Sequence, residues 1–171
     1  MTRQPGVFAP ACTVHDTIHT TAQTYGTTIT PPGGTPHFLH LVSESERAVQ
    51  PDSEVLAKFK NLAAEAMVLF GTAHAYPYHF LLILSDSLPF IGLEHLRSSL
   101  NTVGENGLRG EDAVTITGLL LAHEYAHRWC GKYHRPRGMI VPDFQTPLDT
   151  RLLWVYEGLD EYLGVVLAAR A

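Results

Sequence analysis

The feature that most constrains this chain is the pentapeptide His123-Glu124-Tyr125-Ala126-His127. Apolar residues recur with helical spacing from Ala113 through this segment to about Cys130, which predicts a helix. Residues four apart on a helix share a face, with about 5–6 Å between their Cβ atoms. His123 and His127 can therefore hold one cation, and zinc suits paired imidazoles. Glu124 lies one step round the helix, close enough to take a proton from water at that cation. The plainer reading of the same residues is a helix whose histidines make only polar contacts.

A third ligand would set the type of site. The short pattern HExxHxxGxxH needs a histidine six residues after His127, and Tyr133 stands there instead. The next helical stretch, LLWVYEGLDEYL, offers Glu157, with 157 − 127 − 1 = 29 residues between it and His127. Two helices joined by a loop can converge on one metal in a His₂Glu set. Glu157 alone reads as a solvated helix carboxylate. Its apolar neighbours Leu153, Trp154, Leu159 and Tyr162 argue for a buried helix, in which a carboxylate needs a partner. Asp160 and Glu161 follow three and four residues on, where each is either an exposed charge or a carboxylate that receives N–H from a ligand histidine. His15 and His19 mimic the spacing but sit in Thr-rich, strand-like sequence, where they would lie ~13 Å apart. His37, His40, His74 and His79 have no carboxylate pattern beside them.

The remaining chain reads as one domain. Residues 10–30 favour strand, PPGG at 31–34 is a turn, and HFLHLV at 37–42 is a short strand. A helix is predicted from Pro51 to Gly71, a buried strand at 78–84 and an extended piece over 90–99. NTVGENGLRGED, from Asn101, reads as a polar loop, and Leu152 to Ala171 as a last helix with an apolar face, Val165-Val166-Leu167, lacking a cover. Strands first, then helices that carry the chemistry, argue for an α+β fold. The 171 residues suit one core, and 45% hydrophobic content with mean hydropathy +0.01 suits a soluble globular protein. A net charge of −5 without a Lys/Arg cluster argues against nucleic-acid and polybasic membrane partners. The longest apolar run, Phe80 to Leu84, is far short of the ~18–20 residues of a membrane span. The first residues hold no continuous apolar stretch, so no signal peptide is read and a cytoplasmic location is expected. Two cysteines, Cys12 and Cys130, make no disulfide framework and are expected as free buried thiols.

FGTAHAYPYHFLLILSD, IGLEHLRSS, LLLAHEYAHRWCGKYHRPRG and LLWVYEGLDEYLGVVLAARA follow one another in the order seen in the glycyl aminopeptidase family. The chain resembles those PDZ-containing gluzincins, distant relatives of aminopeptidase N, over about residues 37–171. The resemblance implies a thermolysin-like catalytic domain, with a small mixed sheet over an active-site helix followed by helices, truncated at the C-terminus. Residues 1–36 would be the tail of an N-terminal β region and 37–171 a partial zinc metallopeptidase domain. It further implies His123, His127 and Glu157 as ligands of one zinc per chain and Glu124 as the base. Gly92 and Glu94 would lie beside the substrate, with Glu94 at its free amine. The activity implied is removal of small N-terminal residues such as Gly or Ala from peptides. The rivals are a thermolysin-like endopeptidase, in which Glu94 bonds to His95 or Arg97 and only fixes its strand, and an inactive metal-binding fragment that serves as a binding module. Ile91 departs from the family's first Gly, Cys130-Gly131 from Asn-Val, and Asp160-Glu161 from Thr-Ser. The family's transition-state tyrosine would lie beyond residue 171.

Overall fold

The computed structural model describes residues 22–171 apart from positions 74 and 144. Cys12, the His15/His19 pair, His74 and the Thr-rich sequence before residue 22 lie outside the described residues.

Five strands and three long helices follow in the order β1 (Gln23–Thr28), β2 (His37–Ser43), α1 (Ser53–Phe70), β3 (Tyr78–Leu84), β4 (Ile91–Glu94), β5 (Ser98–Val103), α2 (Glu111–Ala126) and α3 (Leu153–Arg170). The strands form one mixed sheet, ordered β1-β2-β3-β5-β4. β2, β3 and β5 run parallel, while β1 and β4 pair antiparallel at the two edges. β2 and β3 alternate strictly between buried and half-buried positions, the period-two signature of a sheet with one face on a core. Their buried side chains, Leu39, Leu41, Phe80, Leu82 and Leu84, share one cluster with Phe59, Leu62, Ala63 and Ala66 of α1. Leu121, Ala122, Tyr125 and Ala126 of α2 complete it, so the helix carrying the pentapeptide is packed on the sheet through its apolar side.

The predicted strands at 37–42 and 78–84 and the three helices are all present. The extended piece expected over 90–99 is instead a hairpin. His95 N–H donates to the Ser98 carbonyl at 2.8 Å, turning β4 back into β5. The loop expected from Asn101 also starts late, because Asn101–Val103 complete β5. Asn101 is fully buried, its side-chain N–H groups donating to the Leu81 carbonyl at 3.1 Å and to Ser99 Oγ at 2.9 Å. Hydrogen-bonded polar residues in a strand between two others hide the apolar pattern that a sequence reading relies on.

Two expectations about α3 need correction. Leu167 is fully buried in the core and Val166 half-buried, so of the three residues expected to lack a cover only Val165 is exposed. The apolar residues taken to bury α3 near Glu157 point outward instead, with Trp154 72% and Tyr162 64% exposed. No helix among the described residues is long and apolar enough to cross a membrane.

Leu167→Ala should therefore destabilise the chain by about 2–5 kcal/mol, the usual effect of emptying a filled core position. Val165→Ala should stay within about 0.5 kcal/mol. Equilibrium urea unfolding of both variants checks the order; equal losses would contradict this packing.

Candidate metal and catalytic site

α2 and α3 meet closely at one point. A Cβ placed on Gly164 would stand 3.1 Å from both N and Cα of His123, so any larger residue there would require the two helices to part by a few tenths of an ångström. That approach brings the carboxylates of α3 onto the histidines of α2. His123 Nε2 and His127 Nε2 lie 3.1 Å apart, and Glu157 Oε2 lies 3.4 Å from the first and 3.3 Å from the second. Three donors on a tetrahedral ion with bonds of about 2.0–2.1 Å would be separated by about 3.3–3.4 Å, so this donor set fits zinc in both chemistry and spacing. Glu124 also brings an oxygen within 4.8 Å of both imidazoles, but its Oε1 is 3.9 Å from His123 Nε2. Glu157 makes the tighter triangle, and Glu124 is left beside it.

Each histidine has a carboxylate at its back. Asp160 Oδ2 stands 2.5 Å from His127 Nδ1, and Glu161 Oε2 stands 3.4 Å from His123 Nδ1. The Cys130 carbonyl oxygen is 3.2 Å from the same His127 Nδ1. A proton held on Nδ1 by these oxygens leaves the Nε2 lone pair free to face the other donors. Asp160 is fully buried, and its 2.5 Å approach to His127 Nδ1 favours the imidazolium both as a hydrogen-bond acceptor and through its charge. Burial disfavours the His127 cation, but Asp160, with Glu94 and Glu157 behind it, outweighs that and raises the pKa. Cys130 is a free, half-buried thiol, raised to about 11 by burial and by Asp160.

Glu124 is nearly buried, at 5% exposure, and packs over the backbone of β4. A Cβ on Gly92 would overlap the Glu124 side chain, with Cγ at 2.6 Å. Gly92 thus makes the room that Glu124 occupies. Burial raises the Glu124 carboxyl to about 7, with Glu94, Glu157 and Asp160 adding to the rise and His127 opposing it. A carboxyl poised there can both accept and return a proton near neutrality.

Glu94 does not bond to His95 or Arg97. Its Oε1 accepts from the Tyr156 hydroxyl at 2.6 Å and from Lys132 Nζ at 3.0 Å. Burial opposes its charge, yet these two donors prevail and hold its pKa at about 2. Sequence reasoning missed Tyr156, Lys132 and Gly164. The first two carry no spacing signal of their own, although Tyr156 adjoins Glu157. His40 and His79, half-buried on the far face of the sheet, face each other at 2.9 Å.

Residues 117–171 match the family model of the M61 glycyl aminopeptidase. The chain carries the resemblance to the glycyl aminopeptidases over its last third. A crystal structure of an aminopeptidase N family protein from Idiomarina loihiensis has a similar fold, with a TM-score of 0.74 and 24% identity over 84% of this chain and 25% of that one. The chain thus spans a quarter of that structure's length. No curated protein matches it.

The Glu94 pairing has a pH signature. Its folded pKa lies below the ordinary carboxylate value, so its contribution to stability is present above about pH 4.5 and is lost as pH falls toward 2. Glu94→Gln should be less stable than the parent at pH 6, and the gap should narrow by pH 3. Urea unfolding at the two pH values measures this; a gap that widens on acidification would contradict it.

Proposed function

We propose that this chain is the zinc-binding core of a peptidase that removes N-terminal residues from peptides, with a thermolysin-like, gluzincin arrangement. The reading is carried by one observation: donor atoms of His123, His127 and Glu157 stand 3.1–3.4 Å from one another, beside a Glu124 carboxyl near pH 7. Match to a glycyl aminopeptidase family model over the segment holding all four residues supports it. His123, His127 and Glu157 would hold the ion. Zinc, when bound, supplies Lewis acidity and lowers the pKa of water at its open position to about 7.

The rest belongs to the chain's own residues. Glu124 accepts a proton from the attacking water and returns it to the leaving amine, a cycle suited to its raised pKa. β4 is an edge strand, so its outer backbone groups can pair with an extended peptide. Asp160 and Glu161 fix the imidazoles. Glu94, on the helix side of β4 with Gly92, would take the substrate's α-ammonium, and a site so close to the strand suits a small residue such as Gly or Ala.

One observation favours the endopeptidase rival. Glu94 already holds Lys132 and Tyr156, so an incoming ammonium must share or displace Lys132. A free-amine peptide and its acetylated twin separate the two readings. The aminopeptidase reading expects a large preference for the free amine that shrinks in Glu94→Ala; equal cleavage of both by the parent protein would leave an endopeptidase. In the same assay, Glu124→Gln should keep the metal and lose on the order of 10²–10⁴ in turnover.

Metal binding is tested independently of turnover. Elemental analysis should find about one zinc per chain, with His123→Ala and Glu157→Ala weakening binding far more than His79→Ala. Equal zinc content in all four proteins would remove the site.

A further inference from the structure

Tyr125 lies inside the pentapeptide yet faces away from its metal side. Two residues along a helix turn the side chain by about 200°, so Tyr125 points opposite both His123 and His127. It is fully buried, and its hydroxyl meets His37 Nε2 at 2.6 Å. The direction of this bond follows from the other ring nitrogen. His37 Nδ1 lies 2.7 Å from the Thr35 carbonyl, which can only accept, so Nδ1 carries the proton and Nε2 accepts from Tyr125. His37 is itself held on both sides of its backbone. Its N–H donates to Thr30 Oγ1 at 3.0 Å, and its carbonyl accepts from Ile29 N–H at 2.9 Å. Tyr78 and Phe80 close around the pair.

The side chains that pack α2 on the sheet beside Tyr125, namely Val114, Leu121, Ala122 and Ala126, are apolar and non-directional. The buried bond from Thr117 Oγ1 to the Gly107 carbonyl at 2.7 Å ties the first half of α2 to the loop before it, not to the sheet. The apolar contacts hold the helix on the sheet by shape, while a hydrogen bond adds a contact that depends steeply on angle. Imidazole Nε2 atoms sit roughly 6 Å from a helix axis, so a turn of about 10° moves them by about 1 Å. That is enough to break a donor triangle with edges of 3.1–3.4 Å. A directed hydrogen bond on the opposite face resists that turn.

We infer that His37 is a positioning residue for the metal site: by accepting the Tyr125 hydroxyl it sets the rotation of α2 and so the convergence of His123, Glu124 and His127. The inference rests on the metal reading proposed above and extends it to a residue at the far side of the helix.

The test uses the 171-residue chain with Co²⁺ as the probe, whose visible absorption reports both affinity and coordination geometry, alongside urea unfolding of the metal-free protein. Tyr125→Phe should weaken Co²⁺ binding about tenfold or more, as loss of a supporting partner does, and should alter the absorption bands. The double variant His37→Leu/Tyr125→Phe, in which both polar partners are replaced by apolar ones, should regain much of the metal-free stability. It should not regain the affinity or the bands. His37→Gln keeps an acceptor for Tyr125 and a donor for Thr35, so it should bind Co²⁺ like the parent; should Tyr125→Phe fail to fold, His37→Leu against His37→Gln makes the same comparison. Parent-like affinity and bands in Tyr125→Phe, or their full return together with stability in the double variant, would overturn the positioning role alone. A parent chain that binds no Co²⁺ would overturn the metal reading and this inference with it.

Discussion

Everything distinctive in this structure depends on how near α3 comes to α2. Helix axes commonly pack 8–10 Å apart, with side chains at the contact setting the distance. At this contact the residue on α3 is Gly164, seated against the backbone of His123. The consequence is a match between two ladders. Glu157, Asp160 and Glu161, at i, i+3 and i+4, share one face of α3, and His123 and His127, at i and i+4, share one face of α2. With the helices this close, each imidazole meets one carboxylate at its back, while Glu157 reaches both at the front. A Cβ at 164 would press on the His123 backbone at 3.1 Å and ask the two helices to part by a few tenths of an ångström.

That arrangement concentrates negative charge. Glu94, Glu124, Glu157, Asp160 and Glu161 surround two imidazoles, and Asp160 and Glu124 are almost wholly removed from water. Buried charges are costly unless paired, and a folded protein normally answers by shifting a proton or supplying a counter-charge. Both answers are visible here. The raised pKa of Glu124 is a proton shift, while Lys132 and the Tyr156 hydroxyl neutralise Glu94. The cluster's arrangement is what a divalent cation would stabilise most, since one ion attracts every carboxylate in it.

Much of this was legible in the sequence, for a physical reason. The pentapeptide and Glu157 lie on two long helical stretches, and helix geometry alone fixes which residues share a face. Asp160 and Glu161 were therefore readable as candidates to support the histidines, and both stand behind them. The reason first given for Glu157 did not hold. Trp154 and Tyr162 are exposed, Glu157 is itself 48% exposed, and what brings it to the histidines is the glycine contact seven residues on. Sequence patterns report burial through period, but not the closeness of two helices. The hairpin from β4 to β5 was missed for a related reason: Asn101 and Ser99 are buried polar residues joined by a hydrogen bond, and an apolar-pattern reading sees no strand continuing there. His37 escaped because its partner is a tyrosine 88 residues away.

β4 shows how one short strand serves two purposes. Its alternation sends Gly92 and Glu94 toward the helices and leaves Ile91 and Leu93 exposed. Gly92 yields space to Glu124, while Glu94 is drawn toward α3 by Tyr156 and toward the α2–α3 connection by Lys132. Capture of a substrate ammonium at Glu94 is therefore an exchange of cations, not the filling of an empty anion. A charge-assisted hydrogen bond is worth about 1.5–3 kcal/mol when nothing else competes for the acceptor. Here the gain is the difference between that contact and the one Lys132 already makes. The difference favours substrate only if Lys132 finds a second partner or if both ammonium groups share the carboxylate through its two oxygens. Glu94 Oε1 takes both existing donors, which leaves Oε2 as the oxygen through which sharing would occur. On the aminopeptidase reading proposed above, amine selectivity would rest on the placement of Lys132 as much as on the presence of Glu94.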